Sequence, residues 1–196
     1  MIEKLDFCVL DASHSDLLDT FTCVEDDSKF SQLKSKQRKK IREHSFNIDH
    51  FLKNESLNEQ NMKLNTTHLL INNDVNELVG FVSLCNDSIQ LEISERRELV
   101  YGTVPAIKIA RLAISNKYHG NHLGELLVNN AVVKCLEIRN HSGVKFLTLD
   151  CYKHRLSYYK KFGFVQNNIQ KYHEPDLPIS LRLDIDNYLE MLESKI

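Results

Sequence analysis

The sequence predicts a mixed α/β domain of the α+β kind, a central sheet flanked by helices, and three observations lead there. Two β-rich runs, 69–71 (Leu-Leu-Ile) and 78–84 (Leu-Val-Gly-Phe-Val-Ser-Leu), flank the turn signal Asn72-Asn73-Asp74 and predict an antiparallel hairpin. A strand over 107–114, an amphipathic helix from His122 and a strand over 144–149 make a right-handed crossover, so these two strands run parallel. No internal repeat, low-complexity tract or linker divides the 196 residues, so 1–196 is read as a single domain, long enough to bury its own core.

Composition excludes several classes. A net charge of −2 and a pI near 6.5 argue against a protein whose whole surface embraces nucleic acid, and leave room for a local basic patch. The five cysteines, Cys8, Cys23, Cys85, Cys135 and Cys151, are widely spaced and contain no C-x-x-C pair, the pattern of reduced thiols in a cytoplasmic protein. The N-terminal run Met1-Ile2-Glu3-Lys4-Leu5-Asp6 lacks the apolar core of a signal peptide, and no stretch approaches the roughly eighteen apolar residues of a membrane span. A soluble, cytoplasmic monomer or homodimer without a membrane partner is expected.

The elements follow in chain order. Leu5, Phe7 and Val9 alternate with more polar neighbours, except at Cys8, as in a first strand. Ser13 or Ser15 caps a short helix carrying Leu17, Leu18 and Phe21. Phe30, Leu33, Gln37 and Ile41 fall three or four apart and predict a helix with a thin apolar seam, in a basic helical insertion at about 25–45. There the acids Glu25, Asp26 and Asp27 precede Lys34, Lys36, Arg38, Lys39, Lys40 and Arg42, an order that suits the helix dipole. Such a charge run is ordinarily a solvated face, and its functional alternative is contact with phosphates of RNA or of a cofactor. Ile48, Phe51 and Leu52 mark a further helix with Asn47 as its cap, and the polar stretch 54–65 reads as a frayed end and a loop.

Residues 86–103, with Arg96, Arg97 and three glutamates, connect the hairpin to the crossover. A short helix over 156–162 is stopped by Gly163, and a strand begins at Phe164-Val165. Ile179, Leu181, Leu183 and Ile185 alternate in a late strand, and Leu189, Leu192 and Ile196 suggest a closing helix.

The chemistry concentrates after strand 107–114. Its alternation slips near Ala110-Arg111, because Leu112 and Ile114 sit an odd number of residues after Ile107 and Ile109. Either a β-bulge absorbs one residue and leaves backbone groups free, or the strand is buried on both faces. The loop that follows opens a helix, whose first N–H groups lack intrahelical partners and favour a phosphate-bearing ligand. His119 and His122 have metal-like spacing, but no third ligand is near and no metal is expected. No Gly-Lys-Ser/Thr follows the loop, which argues against a nucleotide triphosphatase.

His119-Gly120-Asn121-His122-Leu123-Gly124 falls where the GNAT superfamily of N-acetyltransferases carries Q/R-x-x-G-x-G/A at a helix start, and Tyr158-Tyr159-Lys160-Lys161-Phe162-Gly163-Phe164 matches its later Tyr and Gly-Phe pair. The sequence resembles that superfamily over 69–164. Residues 105–114 and 48–52 are similar to the branch with toxin-type acetyltransferases of aminoacyl-tRNA, although the basic insertion departs from it. The resemblance implies a mostly antiparallel mixed sheet with a splayed parallel strand pair, and acetyl-CoA as cosubstrate. It implies cofactor contacts at Leu112, Ala113, Ile114, His119, Gly120, Asn121, His122, Leu123 and Gly124. Tyr159 is implied as general acid for the CoA thiolate; the alternative is a tyrosine of the core.

Two departures bear on the site: His119 replaces the usual Gln or Arg, and His122 replaces the first motif glycine. The strand 107–114 carries no carboxylate base, leaving Glu92, Glu95, Glu98 or water. A lysine amine is neutral in about one molecule in 2,500 at pH 7, an α-amine in roughly a tenth or more, so an α-amine such as that of aminoacyl-tRNA is mildly favoured as the acceptor. The tRNA would dock on the basic helix at 34–42. The competing class is a non-catalytic acyl-CoA-binding regulatory module, suggested by the altered loop.

Overall fold

The computed structural model describes residues 4–24, 30–96, 99–170 and 177–194. Seven strands form one sheet in the order β1-β2-β3-β4-β5-β7-β6. They are β1 (Leu5–Val9), β2 (Thr66–Asn72), β3 (Glu77–Gln90), β4 (Thr103–Ile114), β5 (Phe146–Cys151), β6 (Val165–Gln166) and β7 (Ile179–Asp184). The helices are α1 (Ser15–Thr20), α2 (Ser35–His50), α3 (Ser56–Asn61), α4 (Leu123–Arg139), α5 (Leu156–Lys160) and α6 (Ile185–Glu193). β4 and β5 are parallel, joined by α4, and the sheet is otherwise mostly antiparallel. This is the predicted fold class. The chain divides into two compact units, Met1–Ser83 with Arg111–Val128, and Leu84–Ala110 with Asn129–Ile196.

In the first unit the core gathers Leu10, Leu18, Phe21, Phe51, Leu52, Leu69, Ile71, Leu78, Phe81 and Ala113. Phe81 is its centre, edge-on to Phe21 at 5.7 Å and stacked with Phe51 at 6.3 Å. Burying one such ring contributes about 1.5–3 kcal/mol. Several expectations change here. β1 forms, but Phe7 and Val9 are exposed and Cys8 packs on the core, since in a strand a one-residue change of facing exchanges the two sets. Neither Ser13 nor Ser15 caps α1: its N-cap is His14, with no side-chain cap bond, and Asp11 caps the 3-10 turn Ala12–His14 that leads into it, accepting from Ser13 N–H at 2.8 Å.

The two helices expected over 30–52 are one. α2 starts at Ser35, runs through Asn47 without a cap, and continues through a π-helical turn, Phe51–Glu55, into α3. Buried Ile41, Ser45, Asp49, Phe51 and Leu52 give it a continuous inner stripe. The polar stretch expected to fray is held by side chains instead: Ser56 Oγ donates to Leu52 O at 2.6 Å, and Gln60 Oε1 accepts from Thr67 N–H at 2.9 Å. The start at Ser35 also reverses the expected charge order. Lys34, Lys36, Arg38 and Lys39 lie at the positive dipole end, while the acids Glu25, Asp26 and Asp27 fall outside the described residues.

In the second unit Ile89, Leu91, Val104, Ala106 and Phe146 form a cluster. Lys145 N–H donates to Pro105 O at 3.0 Å, and the parallel register then runs from Ala106↔Phe146 to Ile109↔Leu149. β5 thus begins two residues later than predicted. Arg139, in the last turn of α4, pairs with Asp186 at 2.6 Å and bonds Val144 O at 2.7 Å, fixing the helix end to the strand entry. Arg97, Glu98 and Ile196, used in the sequence reading, fall outside the described residues.

Candidate active site

β4 supplies the first part of the site. The hydrogen bonds bounding its hairpin with β3 join Leu91 to Gly102 and Ser115 to Val79. Twelve steps along β3 separate Val79 from Leu91, and thirteen along β4 separate Gly102 from Ser115, so β4 absorbs one extra residue in that interval, as a bulge does. Ala113 is buried, while Leu112 and Ile114 are half-buried, so burial past Arg111 stays in phase with Ile107 and Ile109, and the slip expected near Ala110-Arg111 does not occur there. Arg111 lies over the Phe51 ring at 5.2 Å, anchoring the strand to the core.

Gly80 on β3 sets how closely this strand end is approached. A Cβ there meets Ile114 Cδ1 at 2.6 Å, the Ala113 carbonyl oxygen at 2.8 Å and Leu127 Cδ1 at 3.3 Å, so only glycine fits. An isolated glycine within a strand pattern is a readable sign of such close approach, and the sequence reading missed it.

The loop after β4 is braced at each step. Asn116 N–H donates to Thr22 O at 2.8 Å; Glu77 holds Lys117 at 2.8 Å and the Tyr118 hydroxyl at 2.9 Å. The Lys117 hydrogen bond, then that of Tyr118, keeps the Glu77 carboxyl below its usual range. The His119 ring Nε2 bonds the Ile114 carbonyl at 2.9 Å and so closes the loop back on β4. Among the described residues, none of the backbone N–H groups of Gly120, Asn121, His122, Leu123 or Gly124 has a hydrogen-bond partner in the protein, whereas Glu125 N–H closes on His122 O at 3.0 Å. Three N–H donors ahead of a 17-residue helix and two in its first turn, at its positive dipole end, are a phosphate-type cradle.

His122 adopts φ +57°, left-handed backbone in which a glycine is at ease and a histidine is strained. The chain thus keeps the conformation of the motif glycine while carrying an exposed imidazole.

Tyr159 lies in α5, within the second unit, while the nine residues expected to hold the cofactor all belong to the first. It is half-buried, edge-on to Tyr158 at 5.2 Å and to Phe164 at 5.8 Å. Desolvation first, then Tyr158 and Cys151, push its phenol well above the usual value, so it carries its proton throughout the neutral range. Gly163, at φ +89°, ends the helix as expected. Of the glutamates considered as base, Glu95 is ion-paired with Arg182, and desolvation is outweighed by that partner, leaving its carboxyl lowered. That makes it a poor proton acceptor. Burial pushes Cys135 up to about 12 and Cys151 up to about 11, and Cys8 is raised as well, so these thiols are unsuited to a covalent acyl intermediate. Among the described residues, no group of His, Cys, Asp or Glu is arranged to hold a metal ion.

An N–H-lined loop at the start of α4 suits a phosphate-bearing ligand. The chain belongs to the Acetyltransferase (GNAT) domain family, which matches residues 32–174, and is an acetyl-CoA-dependent N-acetyltransferase. Solved structures similar in fold include a Tyr-to-Phe mutant of KacT, 17% identical over 96% of this chain and 99% of that one, with a TM-score of 0.74. AtaT complexed with acetyl-methionyl-tRNAfMet is 18% identical over 96% and 99%, with a TM-score of 0.73. AtaTR bound with AcCoA is 19% identical over 97% and 99%, with a TM-score of 0.68.

Proposed function

We propose that this enzyme transfers the acetyl group of acetyl-CoA to the α-amine of an aminoacyl-tRNA. The observation that carries it is the polarity of α2. Lys34, Lys36, Arg38 and Lys39 stand where the helix dipole is already positive, each costing the helix about 0.3–1 kcal/mol or less at an exposed site. What disfavours the isolated helix concentrates positive potential for a polyanion. The AtaT complex with acetyl-methionyl-tRNAfMet, alike over nearly the whole of both chains, supports the same acceptor.

The pyrophosphate of the donor rests on the N–H groups of Gly120, Asn121, His122, Leu123 and Gly124, with backbone at Leu112, Ala113 and Ile114 receiving the pantetheine arm. The acceptor amine attacks the thioester carbonyl, a proton leaves its nitrogen, and the CoA thiolate departs. Tyr159, protonated in the neutral range, donates to that sulfur. With the three raised thiols unsuited as nucleophiles, direct attack is the simpler course. Residues 1–196 act as one catalytic domain in the cytoplasm; among the described residues no helix is long and apolar enough to cross a membrane. The test replaces Lys36 and Lys39, both exposed, by glutamate. The reading expects KM for charged tRNA to rise about tenfold or more, with a shallower salt dependence and unchanged KM for acetyl-CoA. Unaltered kinetics on charged tRNA end the case for docking through α2.

A further inference from the structure

The backbone ladder between β4 and β5 stops at Ile109↔Leu149, yet β4 runs on to Ile114 and β5 to Cys151. At that point side chains take over the joining. Lys108 on β4 places Nζ 2.5 Å from Asp150 Oδ2 on β5, one residue past the last paired position. Thr148, on the same face as Lys108, donates its hydroxyl to Asp87 Oδ2 at 2.7 Å, tying β5 to β3 with β4 between them in the sheet. Both members of the ion pair are largely buried, with side chains 22% and 15% exposed. Burial alone lowers the Lys108 pKa, but the hydrogen bond to Asp150 and the charges of Asp150, Asp87 and Cys85 outweigh it, and the ammonium keeps its proton.

A buried ion pair is a poor source of stability, since desolvating two charges consumes most of what their attraction returns. What it supplies well is position. Its placement, at the last paired position of the two strands, is where position matters most. We infer that Lys108 and Asp150, backed by Asp87 and Thr148, form a clasp that fixes the end of the β4–β5 ladder, and that both are positioning residues for the acyl donor. The inference rests on the assignment of β4 beyond Ile109 as the donor's strand. It accounts for a lysine and an aspartate on the inner strands of a sheet, where apolar residues pack more readily.

The experiment compares Asp150→Asn, the double variant Lys108→Met with Asp150→Leu, and Lys108→Arg, reading acetyl-CoA affinity by calorimetry, kcat and KM for acetyl-CoA, and thermal unfolding. The apolar double variant leaves no buried charge unpaired and should unfold within a few degrees of the wild type. It and Asp150→Asn should nonetheless lose about ten- to a hundredfold in kcat/KM for acetyl-CoA, since a displacement of about 1 Å has that effect on a reacting geometry. Lys108→Arg, which restores an ion pair, should recover to within about threefold of the wild type. A well-folded double variant that binds acetyl-CoA and turns over like the wild type overturns the clasp. Because calorimetry needs no acceptor, a wild type that binds acetyl-CoA but acetylates no charged tRNA counts against the proposed function alone.

Discussion

His122 shows how one residue can keep a motif's geometry without its side chain. Its φ of +57° strains a non-glycine residue by about 1–3 kcal/mol, and histidine is among the residue types that tolerate this region best. His122→Gly should therefore change stability little, relief of strain offsetting the added freedom of the unfolded chain, whereas His122→Val should lose about 2 kcal/mol or more in urea unfolding. If valine is tolerated as well as glycine, the left-handed conformation does not matter in solution. Tyr159→Phe belongs to the same scale. It should lower kcat by about a hundredfold or more while leaving acetyl-CoA affinity within about twofold, a split that loss of packing alone does not produce. The histidine substitutions were legible in the sequence as departures. The φ of His122 and the bond from His119 to Ile114 O were not, because they arise from how the loop folds back on β4.

At the scale of elements, the hairpin, the parallel crossover and the Gly163 stop could be read from periodicity and turn chemistry. The helix over 35–61 could not: its polar C-terminal part is held by Ser56 and Gln60, whose partners Leu52 and Thr67 no local pattern reveals. The facing of β1 escaped for the same reason, since alternation says which residues share a face and not which face is buried. Gly80→Ala tests the packing of β3 against the end of β4. With a backbone oxygen 2.8 Å from the new Cβ, it should lose about 2–3 kcal/mol and weaken acetyl-CoA binding together. A stable variant with normal binding contradicts the close approach. In the second unit, the Glu95 carboxyl is lowered by Arg182, so this pair contributes stability that is present above the unfolded carboxyl value of about 4.3 and is lost as pH falls through the lower folded value. Arg182→Met should accordingly destabilise the protein at pH 7 and flatten the acid limb of its stability curve, as read by urea unfolding between pH 7 and 3.

For the whole molecule, a near-neutral chain gathers six of its 25 Lys and Arg residues within positions 34–42, at and after the start of α2. Such a run gives a protein with a net charge of −2 a local positive potential. The family membership fixes the donor and the reaction. The most direct measurement is mass spectrometry of aminoacyl-tRNA after incubation with the purified protein and acetyl-CoA, beside small amines and protein substrates. An acetyl group is expected on the α-amine of charged tRNA, formed by the wild type and strongly reduced in Tyr159→Phe. Acetylated small amines or proteins with untouched charged tRNA would contradict it.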